Sequence, residues 1–140
     1  MQVLGIKTDL IKPGDDLADK LEKAMNDADL ALQDGDILVV SESTLATAEG
    51  RLVYLENVEP SPLARLMAER YEKDPREMQL ILEESDQIVG GIPGVVLTLR
   101  EGFLYPNAGI DNSNAPPGSV VLFPSHPLAS ACQLREQLGK

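Results

Sequence analysis

DPREMQLILEESDQIVGGIPGVVLTLREGFLY, residues 74 to 105, changes its apolar period halfway along, and that change decides the fold class. In the first part Asp74 suits a helix cap and Pro75 the first helical position. Glu77 sits three residues after the cap, where it can reach back, and Met78, Ile81 and Leu82 supply a buried stripe. From Gln87 onward the period is that of sheet. Gly90, Gly91, Pro93 and Gly94 make a turn, Val95 to Leu99 form a strand, and Glu101-Gly102 turn the chain into Phe103 to Tyr105, a hairpin.

Upstream, residues 2 to 6 read as a short strand, and PGDD at 13 to 16 is a turn into a helix that Asp15 or Asp16 can cap. Leu17, Leu21, Ala24, Met25 and Ala28 lie on one face of it. The turn QDGD at 33 to 36 feeds Ile37 to Val40, a β-branched run that predicts a buried strand, and Leu52 to Leu55 is a short extended piece. Ser61-Pro62 opens a helix with Leu63, Leu66, Met67 and Ala68 facing inward. Downstream, Val120 to Phe123 is another apolar strand, and a last helix begins near Ser125, His126 and Pro127, carrying Leu128, Ala131, Leu134 and Leu138. Strands and helices mix without regular βαβ alternation, which predicts an α+β class, a mixed sheet with about four helices, in a single domain spanning 1–140.

Bulk properties bound the function. A chain of 140 residues, 43% hydrophobic, can build one real core. No apolar run approaches the roughly 20 residues that span a bilayer, and MQVLGIKTDL lacks the regions of a signal peptide, so a cytoplasmic location without a membrane role is expected. Cys132 is the only cysteine, which excludes an intrachain disulfide. The formal charge is −11, from 23 acidic against 12 basic residues, so nucleic acid is excluded as a partner: phosphate binding is built from Lys and Arg. The acidic surface serves solubility, although it could also attract cations.

Several familiar sites are missing. GGIPG at 90 to 94 has neither the spacing nor the lysine of a phosphate-cradling loop. His126, the single histidine, stands just before Pro127 and reads as a helix-entry residue, and Cys132 reads as a small packed hydrophobe. The loop NAGIDNSNAPPGS, residues 107 to 119, is different. Asp111 offers oxygens of the kind Mg²⁺ or Mn²⁺ prefers, Asn107 and Asn114 offer amide donors and acceptors, and Gly109 permits unusual backbone angles. The same residue types also build turns, so spacing alone leaves both readings open.

An ordered set of short motifs adds to this. LIKPGDDL (10–17), DGDILVV (34–40), AEGR (48–51), EPSPLA (59–64), KDPRE (73–77), LILEES (80–85) and NAGIDNSN (107–114) together resemble the N-terminal part of the coenzyme F-420 γ-glutamyl ligases. The resemblance covers nearly the whole chain and implies GTP-dependent addition of L-glutamate to a deazaflavin F-420 precursor, with Mg²⁺ or Mn²⁺ and a homodimeric assembly. Through the family's NAGxDxSN pattern it implies that Asp111 is a metal ligand and that Asn114 contacts the nucleotide. It further implies nucleotide contacts at Leu10 and Ile11, through main-chain atoms, although core packing explains two apolar residues as well. Ser43 keeps a polar group at another nucleotide-contacting position, beside the negative charge of Glu42. No catalytic residue is assigned.

Two departures limit what is expected. ATAEG stands where the family usually reads SKAEG, so Thr47 replaces a lysine that would meet phosphate, and a hydroxyl supplies no positive charge. The family's C-terminal half, with its further metal and nucleotide residues, lies outside these 140 residues. A truncated or split ligase, inactive without a complementary C-terminal half, is therefore expected, with a non-catalytic nucleotide-binding or oligomerisation module as the alternative and shared scaffold alone as a third reading.

Overall fold

α4 (Pro75–Glu83) forms where the sequence places it, with Asp74 as its cap: the carboxylate accepts the Arg76 N–H at 2.8 Å. The Arg76 guanidinium grips the same carboxylate at 2.6 and 3.0 Å, and that pairing holds the Asp74 carboxyl below its ordinary value. Glu77 does not reach back. Its carboxylate meets Lys73 at 2.8 Å in a pair that is mostly shielded from solvent, so the second half of the expected capping box is spent on an ion pair.

The structure is a computed structural model that describes residues 2–139. Among these are five α-helices and two small antiparallel sheets, an α+β arrangement in which the expected mixed sheet is replaced by two antiparallel ones. The chain divides into two compact units, Met1–Arg51 with Pro124–Lys140, and Leu52–Phe123.

In the second unit, β2 (Gln87–Ile92), β3 (Val95–Arg100) and β4 (Phe103–Pro106) form a three-stranded meander. The expected hairpin is present, with Thr98 opposite Tyr105 and Arg100 opposite Phe103. Gly90 and Gly91 lie within β2, paired with Leu97 and Val96, rather than in a turn, and a Cβ at Gly91 would stand 2.5 Å from the Val95 carbonyl oxygen and 2.9 Å from the Tyr71 ring. α3 (Pro62–Tyr71), capped by Ser61, turns Ala64, Ala68 and Tyr71 inward and leaves Leu63 and Leu66 exposed, a correction to the expected face. The small side chains let α3 lie close to Met78 and Ile81 of α4, with Val96 and Ala108 completing the cluster. Leu80 of α4 points the other way, into a second cluster with Val120 and Leu122. There β1 (Leu52–Tyr54) pairs antiparallel with β5 (Ser119–Val121).

In the first unit, α1 (Leu17–Asp27) is capped by Asp16, which accepts the Asp19 N–H at 3.1 Å, while Asp15 accepts the Lys12 N–H at 2.9 Å. Leu17, Leu21 and Met25 form the core; Ala28 is exposed. α2 (Glu42–Ala48), absent from the sequence reading, is nucleated by Ser41, whose hydroxyl accepts the Thr44 N–H, and anchored by fully buried Ala46. α5 (Pro127–Gln137) starts as expected, but only Leu134 and Leu138 pack on the core, and Leu128, Ala131 and Cys132 are exposed. The expected burial of Cys132 is thus corrected: it sits on the wet side of a helix held by one stripe.

Residues 2 to 6 and Ile37 to Val40 were expected as strands and enter no sheet among the described residues. A strand exists through its ladder, and neither segment has one.

The close approach at Gly91 gives a direct check. Gly91→Ala should cost about 1–3 kcal/mol in chemical denaturation through overpacking. Gly90→Ala, where a Cβ meets nothing within 4 Å, should stay within about 0.5 kcal/mol.

Candidate functional site

The loop that follows β4 begins with three residues in the left-handed region: Asn107 (φ 51°), Ala108 (φ 55°) and Gly109 (φ 74°). For the two non-glycine residues this conformation costs roughly 1–2 kcal/mol each, so the surroundings must hold it. Thr98, fully buried, does part of that: its hydroxyl donates to the Tyr105 carbonyl at 2.9 Å and accepts the Ala108 N–H at 3.1 Å. The Asn107 side-chain oxygen accepts the Val96 N–H at 2.9 Å, extending the β3 edge one step past Pro106. Asn107, read from the sequence as an available polar ligand, therefore spends its amide oxygen on the fold. Gly109 lies against Phe123, where a Cβ would come within 2.7 Å of the ring.

Asp111 is fixed through its backbone, which exchanges hydrogen bonds of 2.9 and 2.8 Å with Val121. Its side chain closes on Ser113 and Asn114. One carboxylate oxygen accepts the Ser113 N–H at 2.8 Å and the Ser113 hydroxyl at 2.6 Å; the other accepts the Asn114 amide at 2.9 Å. Burial pushes the carboxyl up, but the hydrogen bonds from Ser113 and Asn114 outweigh it and hold Asp111 below its ordinary value, so it is anionic at neutral pH. Asp111 and Asn114 are thus brought into direct contact. Ser113 is the member that sequence reading passed over, although Asp-x-Ser is the spacing at which a side chain bonds the backbone two residues on.

This donor set does not make a divalent-metal centre by itself. A carboxylate offers about four acceptor sites, and three of those at Asp111 are already taken. Among the described residues no group of three or more His, Cys, Asp or Glu is placed to hold an ion.

Leu10, Ile11 and Ser43 belong to the first unit. Ile11 packs on the α1 core, whereas Leu10 is 78% exposed. Ser43 lies in the first turn of α2, 3.5 Å from the Ser41 hydroxyl. Thr47 donates its hydroxyl to the Ser43 carbonyl at 2.7 Å, so it is closed onto its own helix. A cleft in this unit runs between the start of α1, the end of α2 and α5. Among the described residues it is lined by Asp15, Asp16 and Glu49 with no Lys or Arg, and by none of Leu10, Ile11 and Ser43, which suits a triphosphate poorly. Glu49 is hydrogen-bonded there by the Ser130 hydroxyl. No described helix is long and apolar enough to cross a membrane.

Residues 5–140 match the family described as F-420-0:gamma-glutamyl ligase. The chain is 42% identical over 129 residues to the coenzyme F-420:L-glutamate ligase of Methanopyrus kandleri, covering 91% of this chain and 49% of that protein. Similar relatives are the enzymes of the same name from Methanothermobacter thermautotrophicus (42% over 123 residues, 87% and 49%) and Halorubrum lacusprofundi (39% over 135 residues, 92% and 52%). This chain belongs to the F-420-0:gamma-glutamyl ligase family. It spans about half the length of the curated relatives it matches.

Two measurements follow from the loop. Asp111→Asn should lower stability at pH 7 by about 1 kcal/mol, less than the roughly 1.5–3 kcal/mol of a charged hydrogen bond because the site is partly exposed. The fold prefers the ionised form, so this advantage is complete above 3.8, the ordinary carboxyl value, and should disappear as pH falls through the lower value of the folded protein. Gly109→Ala, strained in φ and crowded by Phe123, should cost about 1–3 kcal/mol by thermal or chemical denaturation.

Proposed function

We propose that this chain is the N-terminal half of a GTP-dependent ligase that joins L-glutamate to a coenzyme F-420 precursor through a γ-glutamyl amide, and that it is inactive alone. The observation carrying the reading is a family match over residues 5–140 in a chain that spans about half its relatives. Forming an amide from a carboxylate and an amine in water is uphill, so such a reaction is coupled to nucleotide cleavage, and the protein's part is to position the reactants and offset charge. Asp111 brings one carboxylate and Asn114 one amide to that task. Mg²⁺ or Mn²⁺ would need its remaining ligands from a complementary C-terminal half, and the same half would supply the cationic contacts to GTP that Thr47 lacks. A homodimer of the completed assembly belongs to the same proposal.

A second reading, a nucleotide-binding or oligomerisation module without catalysis, is favoured by one observation: Thr47 is tied to Ser43 where a lysine is expected.

Calorimetric titration of the chain with GTP and Mn²⁺, combined with an assay of glutamate addition, separates the two. The expected result is no turnover by the chain alone and turnover once the C-terminal half of the Methanopyrus kandleri relative is added. Turnover by the chain alone would overturn the proposal, and GTP binding that the added half never converts to turnover would favour the module. Thr47→Lys should tighten GTP binding about tenfold, the effect of about 1.4 kcal/mol of new charge attraction.

A further inference from the structure

In the first unit, two stretches expected as strands carry exposed apolar side chains and enter no sheet among the described residues. Along 37–40 the side chains alternate: Leu38 and Val40 pack on the α1 core, whereas Ile37 is 87% and Val39 85% exposed. Residues 3–11 do not keep this period: Ile6 and Ile11 pack inward, whereas Val3 and Leu10 are 84% and 78% exposed. Among the described residues, no backbone hydrogen bond joins either stretch to a strand. Ile37–Val40 therefore combines backbone N–H and C=O groups that no strand pairs with wet branched side chains, a liability that folded proteins ordinarily cover, and Val3 and Leu10 add to the exposed apolar surface of the same unit.

What covers them follows from length. The relatives carry about as much chain again as the part matched here, since 129 aligned residues make up 49% of the Methanopyrus kandleri protein. We propose that Ile37–Val40 and the stretch from Val3 to Leu10 form the seam on which that additional half docks. It would add a β-strand whose main chain pairs with Ile37–Val40 and apolar side chains that cover Ile37, Val39 and the exposed side chains of Val3 and Leu10. The seam holds whether the added half is continuous with this chain or a separate polypeptide. This rests on the complementary-half reading above and assigns it a surface.

The test mixes the 140-residue chain with the separately produced C-terminal half of the Methanopyrus kandleri relative. Calorimetry and amide hydrogen exchange are read together with glutamate addition. Expected is a complex in which the amides of Ile37–Val40 exchange at least about tenfold more slowly than in the free chain. Ile37→Ser combined with Val39→Ser should weaken that complex about 10- to 100-fold with unchanged circular dichroism, because both side chains are exposed in the free chain. A complex that restores turnover yet leaves these amides unprotected, and binds the double variant equally well, would overturn the seam while leaving the complementary-half reading intact. Absence of any complex or turnover would overturn both. Protection that grows with the concentration of this chain alone would assign the surface to a second copy and overturn the occupant proposed here.

Discussion

The buried hydroxyl of Thr98 is the constraint on which the second unit turns. Inside an apolar cluster an unpartnered hydroxyl costs about 1–3 kcal/mol, so Thr98 is stable there only while both the Tyr105 carbonyl and the Ala108 N–H are held against it. Those two groups lie on either side of the point where β4 gives way to the loop. Their capture, with the Asn107 side chain on Val96, sustains left-handed angles that Asn107 and Ala108 would not adopt unaided. From that corner the chain leaves in one direction, passes Phe123 at Gly109, and delivers the Asp111 backbone to β5.

The site inherits both its order and its incompleteness from this arrangement. Asp111 is anionic and well placed, but it belongs to a chain of net charge −11 whose α2 presents Glu42 and a Thr47 already bonded to its own helix. Anion recognition is a matter of cations and oriented N–H groups.

The sequence was most legible where local chemistry and tertiary demand coincide. The Asp74-Pro75 start, the Ser61-Pro62 start and the Glu101-Gly102 hairpin turn are set by backbone preferences that packing reinforces. Legibility failed where packing alone decides. α3 buries Ala64 and Ala68 against Met78 and Ile81 of α4 and leaves Leu63 and Leu66 outside that contact. Ser- and Thr-rich α2 carries weak intrinsic helix signal and depends on one cap and one buried alanine. The β-branched run Ile37 to Val40 has strand propensity without a partner within the described residues to express it. At the loop, spacing left turn and ligand readings open, and both the contact of Asp111 with Asn114 and the closure of the carboxylate by Ser113 depend on rotamers that composition does not specify.

α4 buries opposite faces in two different clusters, Met78 and Ile81 in one and Leu80 in the other. A helix shared in this way cannot detach from one cluster without exposing its side chains in the other, so the two sheets of the second unit have no independent route to melting. Shared packing of this kind couples the opening of the two clusters, and it includes the loop's own Ala108 and Ile110.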